Sequence, residues 1–219
     1  MYRRWIKLID WRLKQSRCAT MAEPIVEGAY RDGPELARDV DRMITALEAR
    51  HGHLAEASEV QGWLDLTRVF GLNLTRLDVR QDATRYREVM TELLKATGVC
   101  EDFAALEEPQ RQAVLVESMG TAKPVDEEKL APLTRETLQL FRMLRRGVER
   151  FGPDCIGAHV ISMTRWASDM LTVLWLWRRA CAEGGACEET LKYGLRIAPL
   201  FEKIGDLKAA PQVMTEILG

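Results

Sequence analysis

The sequence predicts an α/β fold in which helices greatly outnumber strands. Along most of its 219 residues, apolar residues recur every three or four positions, which is the spacing of an amphipathic helix. Three short apolar stretches break this pattern, and a helix-length segment follows each of them. Strands that alternate with helices favour a parallel sheet over hairpins. Three strands are too few to close a sheet, so we expect a mostly helical chain that holds part of an α/β sheet or barrel.

The predicted helices rest on apolar faces and on signals at their ends. They cover residues 2–13, the segment from Gly33-Pro34 to near Gly52, residues 55–70, the segment between Asp82 and Gly98, and residues 102–119, 132–151, 166–181 and 206–218. Asp82 is a residue type that caps the start of a helix, and Gly98 is the type that ends one. Trp175 and Trp177 lie two positions apart on one helix and do not share a face. We expect one to pack inward and the other to meet a neighbouring domain.

The predicted strands are Leu72 to Val79, Ile156 to Met163 and Leu195 to Phe201. Each is a nearly continuous apolar run that begins soon after a glycine, as is typical of parallel strands buried on both faces. His159 lies inside the second strand, where core packing is a better interpretation than catalysis. The segments best suited to exposed loops are residues 21–34, 120–128 and 183–189.

Composition and charge exclude several classes of protein. The chain has 47% hydrophobic and 29% charged residues, as ordinary globular proteins do. Its 31 basic and 33 acidic residues give a net charge of -2, which offers no broad attraction to nucleic acid or to an anionic membrane. No apolar run is long enough to span a bilayer, and the mixed charges near the start do not form a signal peptide.

The cysteines and histidines form neither a disulfide framework nor a metal site. The five cysteines are scattered, without a CxxC pair: Cys18, Cys100, Cys155, Cys181 and Cys187. Reduced thiols of a cytoplasmic protein are the better interpretation. His51 and His53 have the spacing of two metal ligands, but no third ligand is near, so we interpret them as loop residues.

Three segments resemble motifs of the phosphoenolpyruvate carboxylases, and they occur in that family's order. Phe70 to Met90 resembles a strand that ends in D-[IV]-R-Q. Phe151 to Val173 resembles the A-x-V-I-S-M strand followed by S-D-[VM]-L, and Arg196 to Met214 resembles V-x-P-L-F-E-x-[IL]-x-D-L-x-x-A. Residues 2–17 are similar to the helix upstream of the first motif. The likeness therefore covers nearly the whole chain.

The resemblance implies an enzyme that joins bicarbonate to phosphoenolpyruvate and yields oxaloacetate and phosphate, an anaplerotic carbon dioxide fixation that feeds the tricarboxylic acid cycle. It implies a partial (β/α)8-type barrel (TIM barrel) of the phosphoenolpyruvate/pyruvate type with many extra helices. It also implies dependence on Mg2+ or Mn2+, a cytoplasmic location and a homotetramer. Residues 1–70 would form a helical segment and residues 71–219 part of the barrel, as one region inside a larger enzyme.

Arg80 is the first candidate site residue. It stands just past the end of the first predicted strand, and loops at the carboxyl ends of parallel strands form the active sites of such folds. A guanidinium stays charged at every working pH and binds phosphate through two parallel hydrogen bonds. The resemblance implies that Arg80 binds the substrate's phosphate. The alternative from spacing alone is a salt bridge to Asp78, to Asp82 or to a neighbouring helix.

Glu202 is the second candidate, directly after the third predicted strand. Mg2+ takes only one or two protein carboxylates and keeps its other positions for water and substrate oxygens. The resemblance implies that Glu202 is one of two metal ligands. The alternative is a glutamate at the start of the next helix, where the helix dipole favours a negative charge.

Several parts of the family's active site are absent from this sequence. It has no T-x-H-P-T motif, no G-Y-S-D-S-x-K segment with the second metal carboxylate and a lysine, and no glycine- and arginine-rich mobile loop. Family members are several times longer, so we expect a fragment that is inactive alone. A second hypothesis is a non-catalytic helical interaction module derived from the enzyme, which would co-purify with a partner chain.

Overall fold

The computed structural model describes residues 2–17, 26–52, 59–73, 75–121, 123–193 and 195–218. These residues are mostly helical and contain one three-stranded parallel sheet, which confirms the predicted α/β class with an excess of helices. None of the helices in these ranges combines the length and apolar character that a bilayer crossing needs. Cys18 and His53 lie outside the described residues.

The elements alternate along the chain as the sequence predicts. The helices are α1 (Tyr2–Arg17), α2 (Gly33–His51), α3 (Glu59–Phe70), α4 (Ala83–Ala96), α5 (Glu108–Glu117), α6 (Pro132–Phe151), α7 (Ala167–Gly184), α8 (Glu188–Tyr193) and α9 (Ile204–Leu218). The strands are β1 (Leu77–Asp82), β2 (Ile156–Ser162) and β3 (Arg196–Pro199). Three helices, α4 to α6, connect β1 to β2, and two, α7 and α8, connect β2 to β3.

The predicted end signals of α4 are confirmed. The Asp82 carboxylate accepts a hydrogen bond of 2.7 Å from the amide of Thr84, which satisfies one of the free amides at the helix start. Gly98 follows the helix with a φ of +64°, a backbone conformation that favours glycine. The end signals therefore give both boundaries of this helix closely.

Some predicted boundaries of helices and loops were wrong. α5 begins at Glu108 rather than at residue 102, because Pro109 is tolerated only in the first turn of a helix. The Asp102 side chain accepts a hydrogen bond from the Ala105 amide and forms a turn instead. The predicted loop at 183–189 is shorter than expected, because α7 continues through Gly184 and α8 begins at Glu188.

The sheet has the order β1-β2-β3, and both pairings are parallel. β1 begins at Leu77 rather than at residue 72, because Leu77 lies opposite Ile156, the first residue of β2. Thr75 and Arg76, the described residues directly before Leu77, are not paired with a strand. β1 also continues to Asp82, so Arg80 lies inside the strand and not past its end.

The described residues fall into two compact units, and the first comprises the chain up to Arg76 together with Arg150–Cys155. Its core joins apolar side chains of α1, α2 and α3 and of the segment before α2: Ile9, Tyr30, Leu36, Val40, Ile44 and Leu64. Arg12 lies 3.9 Å from the centre of the Tyr30 ring. Its guanidinium also pairs with Glu35 at 2.5 Å and with Asp39 at 2.7 Å, so it links α1 to α2.

The second unit comprises Leu77–Glu149 and Ile156–Gly219, and α7 lies at its centre. This helix contacts α4, α5, α8, α9 and β3. Trp175 and Trp177 are both 1% exposed, so the expectation that only one packs inward was wrong. Their indole N–H groups donate to the Ser118 hydroxyl and to the Leu191 carbonyl. A helix with neighbours on several sides buries side chains on more than one face.

Candidate functional site

The two faces of the sheet have different surroundings within the second unit. On one face His159 is fully buried, with its Nε2 2.6 Å from the Tyr86 hydroxyl on α4 and its ring centre 5.3 Å from that of Phe141 on α6. The prediction that His159 packs in the core is confirmed. Side chains alternate along a strand, so Val160 lies on the other face, where Arg80 pairs with it. Val160 is half-buried and Arg80 is exposed.

The carboxyl ends of the three strands meet at one edge of the sheet, called the carboxyl edge below. Asp82 at the end of β1 lies opposite Ser162 at the end of β2, and Ile161 lies opposite Pro199 at the end of β3. Neighbouring strands are about 4.8 Å apart, so β1 and β3 are separated by about 10 Å. Long side chains from these two strands are therefore close enough to contact one small ligand.

Arg80 lies on β1, two residues before the strand ends. Its side chain has no hydrogen-bonded or ionic partner among the residues that the structure describes. The two carboxylates nearest in sequence are engaged elsewhere, because Asp78 accepts a hydrogen bond from the Ala158 amide and Asp82 caps α4. The salt bridges considered as an alternative are therefore not formed within the described part of the chain, and the guanidinium is accessible.

Glu202 lies between β3 and α9, three residues after Pro199 and two before Ile204. The carboxylate is exposed, and its Oε2 accepts a hydrogen bond of 3.2 Å from the Met163 amide, just past the end of β2. The first amides of α9 are not among its described partners. Glu202 is thus oriented by the amide of Met163, directly after β2, rather than by the helix that follows Glu202.

Arg80 lies on β1 and Glu202 follows β3, so β2 lies between the two strands that position them. The structure shows no direct contact between the two side chains within its described part. Arg80 lies two residues before the end of β1 and Glu202 three residues beyond the end of β3, so both are near the carboxyl edge. Neither the phosphate-binding role of Arg80 nor the metal-binding role of Glu202 is tested by this geometry, so both stay predictions.

The sequence did not reveal the role of Asp169, whose carboxylate fixes the start of α7 beside this edge. Asp169 is 2% exposed and accepts hydrogen bonds from the amides of Arg165 and Trp166, at 3.0 and 3.1 Å. Its other oxygen lies 3.0 Å from Nη2 of Arg87 on α4. An aspartate three residues into a helix is a capping signal, which could have revealed the first contact but not the long-range ion pair.

The free oxygen of Glu202 could fill one coordination position of a magnesium or manganese ion. One of its oxygens binds the Met163 amide, and Oε1 has no partner among the described residues. Within the described ranges no group of three His, Cys, Asp or Glu side chains is close enough to hold a metal. Since Mg2+ accepts one or two protein carboxylates, a second carboxylate from outside this group would complete the usual set.

Known proteins with related sequences share one description. The family model described as "Phosphoenolpyruvate carboxylase" matches residues 1–219. Curated relatives of that name include the protein of Paraburkholderia xenovorans, which is 30% identical over 204 residues, 90% of this chain and 20% of the relative. The protein of Gloeobacter violaceus is 37% identical over 158 residues, 70% of this chain and 16% of the relative. That of Roseiflexus castenholzii is 31% identical over 211 residues, 95% and 22% respectively.

The chain spans about a fifth of the length of these relatives. The match to the family model extends over both compact units and over all three segments that carry the sequence motifs. Those segments include the three strands and the candidate site at their carboxyl edge. The chain therefore belongs to the phosphoenolpyruvate carboxylase family.

Proposed function

We propose that this chain is part of an enzyme that joins bicarbonate to phosphoenolpyruvate and yields oxaloacetate and phosphate. The proposal rests on the family match over residues 1–219, and the location of Arg80 and Glu202 at the carboxyl edge supports it. The enzyme would carry out anaplerotic carbon fixation for the tricarboxylic acid cycle, as a cytoplasmic homotetramer that depends on Mg2+ or Mn2+.

Arg80 is proposed to hold the phosphate group of phosphoenolpyruvate. Its accessible guanidinium has no described ion pair to break before it binds a ligand. Two parallel N–H donors match two phosphate oxygens. The fixed positive charge also stabilises the negative charge that spreads over those oxygens as the phosphate group is transferred. Arg80 would therefore both orient the substrate and lower the barrier.

Glu202 is proposed to supply one carboxylate oxygen to Mg2+ or Mn2+. When bound, such an ion stabilises a developing enolate as a Lewis acid. Glu202 itself binds and orients, because the Met163 amide fixes one oxygen and leaves the other toward the ligand. The second metal carboxylate, the lysine and the histidine motif of the family are absent from this sequence. We therefore propose that the chain alone is inactive.

The sheet is proposed to be part of a (β/α)8-type barrel. Sheets made only of parallel strands occur almost exclusively with both faces covered. Here one face packs against α4 and α6 through His159, and the face that carries Arg80 is half-buried or exposed. Further strands that continue the sheet would turn this second face toward the interior of a barrel, with Arg80 near its mouth.

A chimera tests the role of Arg80. We would replace the matched segment of the Paraburkholderia relative with this chain and measure oxaloacetate formation from phosphoenolpyruvate and bicarbonate. Arg80→Gln is expected to lower kcat/KM by roughly 100-fold or more, because it removes a charge that stabilises the transition state. The matched control is Arg76→Gln, an arginine of the same segment that pairs with Asp154. Equal activity of the two variants would show that Arg80 has no special role.

The same chimera tests the role of Glu202. Glu202→Gln keeps the side chain's size and is expected to raise the Mg2+ concentration for half-maximal activity at least about tenfold, since even changes behind a ligand cost that much. Glu128→Gln alters an exposed carboxylate far from the strands in sequence and serves as control. An unchanged Mg2+ dependence in Glu202→Gln would contradict the proposed ligand role, whatever happens to kcat.

A further inference from the structure

Met163, the residue that follows β2, has an unusual backbone conformation. Its φ is +57°, and it is the only non-glycine residue with a positive φ among those that the structure describes. Residues other than glycine are uncommon in this left-handed region, and those that persist there cluster at functional sites. Met163 lies at the carboxyl edge, between the end of β2 and the start of α7.

The left-handed conformation changes the direction of two successive amides. In an extended strand, consecutive N–H groups point to opposite sides. Here the amides of Met163 and Thr164 both donate toward the exit of β3, to Glu202 Oε2 at 3.2 Å and to the Leu200 carbonyl at 3.0 Å. Both amides are thus used by the segment that follows β3, the first by the Glu202 carboxylate and the second by a backbone carbonyl.

Buried hydrogen bonds hold this turn in place. Thr164 is fully buried, and its hydroxyl donates to the Ile161 carbonyl at 2.9 Å. The same carbonyl accepts a hydrogen bond of 2.9 Å from the Leu200 amide. Hydrogen bonds thus connect the segments after β2 and β3 on both sides of Met163, at Ile161 and at Thr164. They hold the Met163 amide in a fixed position relative to Glu202.

We propose that Met163 is a positioning residue for Glu202, acting through its backbone amide and its left-handed conformation. This inference rests on the proposed role of Glu202 as a metal ligand. An exposed glutamate samples several rotamers, and the cost of ordering it reduces the affinity for a ligand. The Met163 amide fixes one carboxylate oxygen and leaves Oε1 for a divalent cation. Groups that orient a ligand in this way measurably affect metal affinity.

Amide hydrogen exchange tests the contact itself. In the chain labelled with 15N-methionine, the Met163 signal is identified by its absence from the Met163→Gly spectrum. We expect this amide to be protected from exchange in the unaltered chain and to lose its protection in Glu202→Ala, while the other methionine amides keep theirs. A Met163 amide that exchanges equally fast in both proteins would overturn the proposal.

Binding of Mn2+ to the chimera with the Paraburkholderia relative, measured by its electron paramagnetic resonance, tests the consequence for a metal. Glycine adopts a positive φ readily, whereas valine is a strong outlier there. We therefore expect the Met163→Gly chimera to bind Mn2+ like the unaltered chimera and the Met163→Val chimera to lose affinity as the Glu202→Gln chimera does. Equal affinity of the glycine and valine variants would overturn the proposal, and the glycine and Glu202→Gln arms keep the test valid if the valine variant fails to fold.

The two experiments separate this inference from the proposed function. If Glu202 protects the Met163 amide but the unaltered chimera and its Glu202→Gln variant bind Mn2+ equally, the positioning contact stands and the ligand role of Glu202 is wrong. If Glu202→Gln loses Mn2+ but the Met163 amide is unprotected, the ligand role stands and the positioning inference is wrong.

Discussion

At the scale of single residues, the sheet separates an accessible charge from a buried ionisable group. Arg80 on β1 is exposed. It pairs with Val160 on β2, and His159, the residue directly before Val160, is fully buried. Burial lowers the pKa of His159 to about 4, because a low-dielectric surrounding disfavours the charged imidazolium. His159 is therefore neutral in the folded protein at neutral pH.

The pKa of His159 predicts a loss of stability in acid. The unfolded chain takes up this proton below about pH 6.5 and the folded chain only below about pH 4, so the unfolded state binds more protons in between and stability falls as the pH falls. Across this window the cost is about 3 kcal/mol. Chemical denaturation at pH 7 and pH 4.5 should show a larger drop for the unaltered protein than for His159→Phe. Equal drops would contradict the assignment.

At the scale of elements, sequence patterns predicted the positions of the helices well and the first and last residues of the strands poorly. α6 has both predicted ends, Pro132 and Phe151, because helix ends depend on local signals. The start of β1 depends on where β2 begins, since a strand residue needs a partner, and this pairing is not local. The carboxyl edge was predictable because residues after parallel strands meet there, whereas the conformation of Met163 has no signal in a single sequence.

The position of α7 likewise depends on the whole unit. Sequence spacing shows that Trp175 and Trp177 point in different directions, but it does not show how many elements surround the helix. Because α4, α5, α8, α9 and β3 all contact α7, both directions lead into the core. The ion pair of Asp169 with Arg87 joins α7 to α4 in the same way and depends on tertiary structure.

This ion pair between the buried Asp169 and the partly exposed Arg87 predicts a specific loss of stability. Asp169→Ala leaves Arg87 without its partner and two amides at the start of α7 without an acceptor, so we expect about 3 kcal/mol of destabilisation. Glu101→Ala is the control in the same unit, because Glu101 and Lys95 form an exposed pair at 2.7 Å and such pairs contribute little. Urea denaturation measures both variants. Equal stabilities would contradict a structural role for the Asp169 pair.

At the scale of the whole molecule, the sheet and several helices present apolar surface. Leu77 on β1, Ile204 on α9 and Leu218 near the end of α9 are 71%, 76% and 77% exposed. Both outer strands of the described sheet also have unpaired edges. Exposed edges and apolar patches promote association with other protein segments. The larger barrel proposed above would cover these surfaces.

The isolated chain is therefore expected to self-associate or to fold slowly. Sedimentation velocity over a range of concentrations should show oligomers, and Ile204→Lys should shift the distribution toward monomer because it places a charge on an exposed apolar site. A monomer at all concentrations with one cooperative melting transition would contradict the view that these surfaces belong inside a larger protein.

The most direct measurement is the fixation of labelled bicarbonate into oxaloacetate by the chain alone and by the chimera with the Paraburkholderia relative, side by side with phosphoenolpyruvate and Mg2+. We expect no fixation by the chain, which supplies Arg80 and Glu202 but lacks the other catalytic motifs, and fixation by the chimera. Fixation by the chain alone, or a folded chimera that binds phosphoenolpyruvate and fixes nothing, would show that the proposed function is wrong.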